Sequence, residues 1–286
     1  MTATLDFAGV RLPAIGQGTW HMGEGLYSQE EEVEALRRGL DLGLKLIDTA
    51  EMYADGRAEE IVGRALAGRR DEAYLVSKAL PSHAGRDAVV RACERSLARL
   101  GTDRLDLYLL HWRGGTSLEE TLEGFERLVE DGKILRYGVS NFDVDDIDEL
   151  AALPGGERCA TNQVLYHLGS RGIEYALLPR MRELKMPTMA YCPVAQGGVS
   201  SRALREHPEV KAIAGARGIS PTQLLLAWTI RPRDGLRDIL AIPKAVQPSH
   251  LAENAQSLEI ELSEAELARL DRAFTPPQRK EPLDIV

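Results

Sequence analysis

Four side chains in the sequence could together carry out proton-transfer chemistry on a bound molecule. Three of them end apolar runs: Asp48 ends "LKLID", Lys78 ends "AYLVSK" and His111 ends "LDLYLLH". The fourth, Tyr53, follows Asp48 by five residues in a predicted loop. An acid, a base and an imidazole at the ends of three strands would be costly to desolvate unless they were paired. Such a cluster is a candidate functional site.

Each of these residues alone also fits a structural role. Asp48 and Glu51 make the pattern of a helix capping box, "DTAE". A lysine such as Lys78 usually extends its ammonium group to solvent. His111 could be a hydrogen-bonded histidine at a strand edge, and Tyr53 could pack on the rim of the fold. The functional interpretation therefore depends on the elements that bring the four residues together.

Short apolar runs alternate with longer amphipathic stretches along the whole chain, which predicts an α/β protein. We count eight β-then-α units over residues 1–286, without a linker or a low-complexity segment. Strands that alternate with helices pair in parallel, and eight such units predict one domain that is a closed (β/α)8 barrel. Between "PTMAYC" and "ILAIP" the pattern predicts two helices, the second of which begins at "SPTQLLLAW".

The alternative is a pair of doubly wound halves, which would need a Gly-x-Gly-x-x-Gly turn. The nearest match, "GQGTWHMG", has His21 where the third glycine is required. Barrel enzymes build their sites at the C-terminal ends of the strands, so the barrel brings the four candidates to one rim. The remaining strand ends would place there Ser140, Asn141, Asn162, Gln163, Tyr191 and Lys244. Ser140 and Asn141 also suit the start of the next helix.

Composition narrows the set of partners. The 286 residues carry a formal net charge of −9 and form no basic stripe, which argues against nucleic acid and anionic membranes. Cys93, Cys159 and Cys192 are far apart and no CxxC occurs, so neither a disulfide framework nor a metal site is expected. The N-terminus lacks an apolar signal core and no apolar run approaches ~18 residues, so we expect a cytoplasmic protein.

Eight short blocks extend the pattern over residues 16 to 254: "GQGTW", "LIDTAEMYADG", "VSK", "LLHW", "GVSNF", "TNQVLYH", "AYCP" and "IPK…EN". In this order they resemble the signature blocks of the aldo-keto reductases, in particular the small bacterial members that include methylglyoxal reductases. The resemblance implies a single (β/α)8 TIM barrel with an N-terminal β-hairpin and an extra C-terminal helix. It also implies an enzyme that binds NADPH without a Rossmann fold and reduces aldehydes and ketones to alcohols.

The resemblance identifies Asp48, Tyr53, Lys78 and His111 as a catalytic tetrad. A free phenol has a pKa near ~10, so Tyr53 suits the general acid that protonates the carbonyl oxygen. Lys78 would favour the phenolate and ease the donation, while Asp48 would pair with Lys78. His111 would donate a hydrogen bond to the carbonyl oxygen and orient it.

The resemblance also assigns residues to the cofactor and the substrate. Ser140, Asn141 and Gln163 would hydrogen-bond the nicotinamide carboxamide, and Tyr191 would stack on the nicotinamide ring. The other expected cofactor-binding residues are Gly18, Thr19, Trp20, Asp48, Cys192, Val194, Gln196, Gly197, Ile242, Pro243, Lys244, Ala245, His250, Glu253 and Asn254. Trp20 and Trp112 would line the substrate mouth.

The expected cofactor preference depends on a departure from the family pattern. Lys244 stands where the family's lysine meets the adenosine 2′-phosphate, but His250 stands where many relatives have an arginine and Ala245 replaces the usual Ser or Thr. Arginine is always charged and binds phosphate in a bidentate way, whereas histidine titrates near ~6.5. We therefore expect NADPH as the preferred cofactor and NADH as a usable one. Alternatively, His250 simply begins the next helix and faces solvent.

The loop after His111, "WRGGTS", is short and the chain ends about a dozen residues past Phe274. We therefore expect an open, shallow mouth and small reactive carbonyls such as methylglyoxal as substrates. The sequence does not determine the oligomeric state, for which a monomer is the default expectation. Two alternatives remain from other classes: a non-catalytic, cofactor-binding regulatory subunit, and a lyase that forms a Schiff base at Lys78. The complete tetrad argues against the first, and a trapped lysine adduct would identify the second.

Overall fold

Eight parallel strands form the sheet that carries the candidate residues. The computed structural model describes residues 2–286. In sheet order, which follows the chain, the strands are β3 (Gln17–Gly18), β4 (Leu46–Asp48), β5 (Tyr74–Ala79), β6 (Leu107–Leu110), β7 (Tyr137–Ser140), β8 (Asn162–Leu165), β9 (Thr188–Tyr191) and β10 (Ile239–Ala241). The two edges meet, since Gly16 N donates to Ala241 O and Ala241 N donates to Ala14 O, both at 2.8 Å. These bonds close the predicted barrel.

Within residues 2–286, eleven α-helices accompany the strands. They are α1 (Gln29–Asp41), α2 (Arg57–Leu66), α3 (Arg86–Leu100), α4 (Leu118–Glu130), α5 (Val144–Ala152), α6 (Leu177–Glu183), α7 (Val199–Glu206), α8 (Pro208–Arg217), α9 (Pro221–Thr229), α10 (Pro248–Gln256) and α11 (Glu264–Ala273). Among these, none is both long enough and apolar enough to cross a membrane.

Three helices, α7 to α9, separate β9 from β10, where the sequence pattern predicted two. The prediction was wrong because Pro208 ends one helical run and begins another. Proline has no backbone N–H to donate, but its fixed φ suits the first position of a helix. His207 accordingly ends α7 and caps α8, and its ring accepts a hydrogen bond from Glu209 N.

The N-terminal hairpin pairs β1 (Thr4–Phe7) with β2 (Val10–Pro13). Both turn residues, Ala8 and Gly9, have positive φ, at 50° and 82°. Turns of this kind match the right-handed twist of the two strands that they join. Leu5, Phe7 and Leu12 are buried in the apolar cluster that fills the barrel. The hairpin therefore covers the N-terminal end of the barrel, opposite the rim that carries the candidate residues.

Strand β6 shows how the sheet divides its side chains between two cores. Leu107 and Leu109 belong to the cluster inside the barrel, whereas Tyr108 and Leu110 belong to the cluster between the strands and the helices. Successive side chains of a strand point to opposite faces of the sheet. On β5, Val76 belongs to the inner cluster. Lys78, two residues further on, therefore also faces the interior of the barrel.

Two helical glycines provide a matched test of the packing between α3 and α4. A Cβ at Gly124 would lie 2.3 Å from Val89 Cγ1 and 2.7 Å from the backbone oxygen of Arg86, whereas a Cβ at Gly215 would have none of the described atoms within 4 Å. We expect Gly124→Ala to lower the free energy of unfolding by roughly 1–3 kcal/mol, because overpacking outweighs helix propensity. Gly215→Ala should raise it by up to about 1 kcal/mol. Denaturant unfolding measures both, and a Gly124→Ala variant as stable as the wild type would contradict this account.

Candidate active site

A buried ion pair joins the ends of β4 and β5. Lys78 Nζ lies 2.8 Å from Asp48 Oδ2 and donates to Thr49 O at 2.9 Å, while Gln163 Nε2 donates to Asp48 Oδ1 at 2.8 Å. Lys78 is 0% exposed and Asp48 is 2% exposed. Burial raises the pKa of Asp48 and lowers the pKa of Lys78, and the charge of each partner opposes these shifts. Because the Asp48 carboxylate is committed to these partners, the capping-box interpretation of "DTAE" is wrong.

Tyr53 contacts the same ammonium group. Lys78 Nζ donates to the Tyr53 hydroxyl at 3.1 Å and lies 4.8 Å from the centroid of its ring. Burial raises the pKa of Tyr53 well above its ordinary value, so the phenol is protonated at neutral pH. After Tyr53 the backbone enters the left-handed region at Ala54 and Asp55, with φ of 50° and 55°. This conformation costs roughly 1–2 kcal/mol per residue, so tertiary contacts must hold the turn.

His111 lies beside the phenol. The centroids of the two rings are 5.7 Å apart and the ring planes meet at 76°. Burial, with a smaller contribution from the charge of Lys78, lowers the pKa of His111 to about 2. His111 Nδ1 is buried and has no hydrogen-bond partner within residues 2–286. A buried N–H without an acceptor is costly, so we infer that the neutral imidazole carries its proton on Nε2.

A cleft of about 890 Å³ opens at the C-terminal ends of the strands. Asp48, Tyr53 and His111 line it, while Lys78 is fully buried. The expected cofactor and substrate residues that also line the cleft are Gly18, Thr19, Trp20, Trp112, Ser140, Asn141, Gln163, Tyr191, Cys192, Val194, Gln196, Gly197, Ile242, Pro243 and Lys244. The structure thus brings most of the predicted site to one place.

Within residues 2–286, four of the expected cofactor-binding residues do not line the cleft. Ala245 follows Lys244, and the other three lie on α10. His250 is exposed on the first turn of this helix. Glu253 accepts a hydrogen bond from Ser220 Oγ at 2.9 Å, and Asn254 is buried. Contact between these side chains and a ligand stays a prediction.

Polar side chains from β7 to β9 form a connected network on one wall. Ser140 Oγ donates to Gln163 O at 2.8 Å, and Tyr191 OH donates to Asn141 Oδ1 at 2.9 Å. Asn141 Nδ2 in turn donates to the backbone oxygen of His111 at 3.1 Å. These bonds fix the side chains, so the wall presents ordered amide and hydroxyl groups next to the tetrad.

Arg113 and two other cationic side chains line the cleft. Lys244 Nζ lies 5.2 Å from the centroid of the Tyr27 ring. Burial lowers the pKa of Lys244, and the charges of Glu32 and Glu24 oppose that shift. Arg205, on α7, lines the cleft as well and was not among the predicted residues. Its place inside a helix provided no signal of the kind that strand ends provided.

Aromatic rings line part of the cleft. Trp20 stacks on His21 with the ring centroids 4.3 Å apart, and Trp112 lies 5.0 Å from His111 at a tilt. His21 also lines the cleft, and its Nδ1 lies 2.8 Å from Glu24 Oε2. Sequence reasoning missed His21 as a lining residue because it treated this position only as a departure from a glycine motif.

The C-terminal tail reaches the same cleft. Ile285 and Val286 line it. On the way there, Lys280 pairs with Asp143 at 3.3 Å, and Ser170 Oγ donates to Asp284 at 2.5 Å. The short tail thus contributes to the cleft wall, which the sequence reasoning did not foresee, while the openness of the mouth stays a prediction.

The depressed pKa of His111 makes stability depend on pH. A histidine in the unfolded chain has a pKa near ~6.5, so below that pH the unfolded state takes up a proton that folded His111 does not. Between pH 7.5 and 5 this difference should remove about 2 kcal/mol from the free energy of unfolding. We expect His111→Gln to lose less stability over this interval than the wild type by about that amount, as measured by denaturant unfolding at both pH values. His250→Gln, at an exposed site, is the control, and equal losses in all three proteins would contradict the prediction.

Comparisons with known proteins place these features in a family. The family model "Aldo/keto reductase family" matches residues 14–274. Methylglyoxal reductase YeaE of Escherichia coli (strain K12) is 55% identical over 283 residues, which cover 99% of this chain and 98% of that protein. Morphine 6-dehydrogenase of Pseudomonas putida is 32% identical over 93% of this chain and 89% of its own. A crystal structure of an aldo/keto reductase from Klebsiella pneumoniae, in complex with NADP and acetate, covers both chains completely at 55% identity with a TM-score of 0.96. This chain therefore belongs to the aldo/keto reductase family.

Proposed function

We propose that this protein reduces small aldehydes and ketones to alcohols with NADPH as the hydride donor. The observation that carries the proposal is the position of Lys78 Nζ, which lies 2.8 Å from the Asp48 carboxylate and 3.1 Å from the Tyr53 hydroxyl. The proposal treats residues 1–286 as one catalytic domain that acts as a monomer in the cytoplasm. It assigns the catalytic roles to Asp48, Tyr53, Lys78 and His111.

Tyr53 is the proton donor in this proposal. Its phenol is protonated at neutral pH and lines the cleft. When the carbonyl oxygen gains negative charge, the O–H bond of Tyr53 breaks and the proton moves to that oxygen. Lys78 already donates a hydrogen bond to the phenol oxygen, so it stabilises the phenolate that remains. Asp48 holds the ammonium group in place and balances its charge.

His111 orients the carbonyl group. Its neutral ring lines the cleft beside Tyr53, and the inferred proton on Nε2 can be donated to the carbonyl oxygen. A neutral donor suits this role, because a charged imidazolium would compete with Tyr53 as the acid. Positioning of this kind converts a loose encounter into a reactive geometry.

The residues of the cleft suit NADPH by their chemistry. The nicotinamide carboxamide can exchange hydrogen bonds with Ser140, Asn141 and Gln163, and the Tyr191 ring can stack on the nicotinamide. Lys244 and Arg205 are cations that suit the phosphate groups. When bound, NADPH supplies a hydride to the carbonyl carbon. The relatives from Klebsiella pneumoniae, crystallised with NADP and with NADPH, support this assignment, and NADH is proposed as a weaker alternative.

We propose methylglyoxal-like carbonyls as the substrate class. The relative named methylglyoxal reductase shares 55% identity with this chain. Trp20 and Trp112 line the cleft, and Ile285 and Val286 add apolar surface to it. This mixture of rings and aliphatic groups suits small carbonyl compounds with an apolar substituent better than polyhydroxylated molecules such as sugars.

The experiment that tests the proposed function measures NADPH oxidation against small dicarbonyls, benzaldehydes and sugars. Rapid turnover of dicarbonyls is the expected result. Bound NADPH without turnover of any carbonyl would favour a regulatory subunit. A lysine adduct trapped by borohydride in the presence of substrate would favour a Schiff-base lyase that uses Lys78.

The Tyr53→Phe variant tests the proton donor. It should lose at least about 100-fold in turnover, the lower range of general acid catalysis, while its dissociation constant for NADPH stays nearly unchanged. Turnover and a fluorescence titration of NADPH are measured on the same preparation. A variant that keeps more than about a tenth of wild-type turnover would show that Tyr53 is not the acid.

The His250→Arg variant tests whether the first turn of α10 contacts the adenosine 2′-phosphate. An arginine is charged at every working pH and binds phosphate in a bidentate way, so we expect NADPH to bind up to about tenfold more tightly. NADH, which lacks that phosphate, should bind equally well to both proteins. Dissociation constants are measured at pH 6 and pH 8, because a histidine gains charge as the pH falls. If arginine does not tighten NADPH binding and wild-type binding does not change with pH, His250 makes no such contact.

A further inference from the structure

Glu51 lies between Asp48 and Tyr53 and makes contacts that its sequence pattern did not predict. Its Oε1 accepts a hydrogen bond from Leu80 N at 2.7 Å and lies 2.8 Å from His83 Nδ1. Its Oε2 lies 3.6 Å from Arg95 Nη2. The side chain is only 6% exposed. A glutamate in a capping box would bond back to its own N-cap residue, whereas Glu51 reaches across to the segment that follows β5.

The backbone of the Tyr53 loop runs alongside β5. Thr49 N donates to Val76 O at 2.9 Å, and Glu51 N donates to Lys78 O at 3.3 Å. Two residues further along the β5 side, Leu80 N donates to the Glu51 carboxylate. The side chain of Glu51 therefore links the loop to the β5 side at the point where the hydrogen bonds between their backbones end. It ties the loop that carries Tyr53 to the strand end that carries Lys78.

A second tie lies on the other side of Tyr53. Arg57 Nε donates to the backbone oxygen of Gly23 at 3.0 Å. Between the two ties lie Tyr53 and the left-handed residues Ala54 and Asp55. A strained turn persists only when its surroundings hold it in one arrangement. Without the side-chain contacts of Glu51, the backbone bond from Glu51 N to Lys78 O, at 3.3 Å, would be the last connection to β5 before Tyr53.

We propose that Glu51 is a positioning residue for Tyr53, which sets the distance between the Tyr53 hydroxyl and Lys78 Nζ. This inference rests on the proposed function, because it concerns the delivery of the proton from Tyr53. In this proposal the length of the Glu51 side chain matters more than its charge. Both close contacts are made by Oε1, and the oxygen of a glutamine side chain could accept both. An aspartate would keep the charge but is one methylene too short to reach them.

Three variants distinguish the effect of side-chain length from the effect of charge: Glu51→Gln, Glu51→Asp and Glu51→Ala. Glu60→Ala is the control, since Glu60 is an exposed glutamate on the neighbouring helix α2. We expect Glu51→Gln to keep kcat within about threefold of the wild type. Glu51→Asp and Glu51→Ala should lose about tenfold or more in kcat, because a misplaced acid costs rate even when the substrate binds normally. Substrate KM and the dissociation constant for NADPH should stay within about twofold in every variant.

The solvent isotope effect provides a readout that general instability would not change. A displaced Tyr53 delivers its proton less readily, so proton transfer should limit turnover more strongly, and the ratio of kcat in H2O to kcat in D2O should be larger in Glu51→Asp than in the wild type. Equal kcat in Glu51→Ala and the wild type would overturn the inference alone, and so would equal losses in Glu51→Gln and Glu51→Asp. If Glu51→Ala does not fold, the comparison of Gln with Asp decides. A wild-type protein that reduces no carbonyl would overturn the proposed function and this inference with it.

Discussion

The ammonium group of Lys78, buried inside the barrel, is the constraint on which the rest of the site depends. Moving such a charge out of water costs several kcal/mol, and removing one partner of a buried pair typically costs roughly 3–5 kcal/mol. Asp48 therefore has to end β4 within reach of it. In the parallel register Asp48 lies opposite Val76. Lys78 is the next residue of β5 that faces the interior, two residues closer to the C-terminal end of the strand. The loop after Asp48 must rise along β5 before it can return Tyr53 to the same ammonium group.

The barrel and its strand ends could be predicted because they follow from periodicity. Apolar runs that alternate with amphipathic helices leave few other topologies, and parallel strands place all their C-terminal ends at one rim. Periodicity is less informative where both faces of a strand are polar. In "TNQV" the sequence selected both Asn162 and Gln163, but only Gln163 faces Asp48. Asn162 faces the other way and donates to Phe142 O at 2.8 Å.

Features that depend on contacts distant in sequence could not be predicted. The pattern "DTAE" is compatible with a capping box. In the fold, however, both carboxylates bind residues that are distant in sequence: Asp48 pairs with Lys78, and Glu51 accepts a hydrogen bond from Leu80 N. The course of the C-terminal tail depends on a contact between Ser170 and Asp284, which are 114 positions apart in the chain. Local spacing contains no information about such pairs, because only the completed fold brings them together.

The order of charges in the buried pair matters for the proposed reaction. Lys78 lies between Asp48 and Tyr53, so the positive end of the pair faces the phenol and the negative end faces Gln163. Before reaction the pair has no net charge, and the phenol and imidazole beside it are neutral, so a neutral carbonyl compound meets no excess charge there. In the proposed reaction Tyr53 gives up its proton, and the new negative charge appears next to the ammonium group. Under this proposal the arrangement stabilises charge that develops during the reaction more than it stabilises the bound substrate, and only such a difference lowers the barrier.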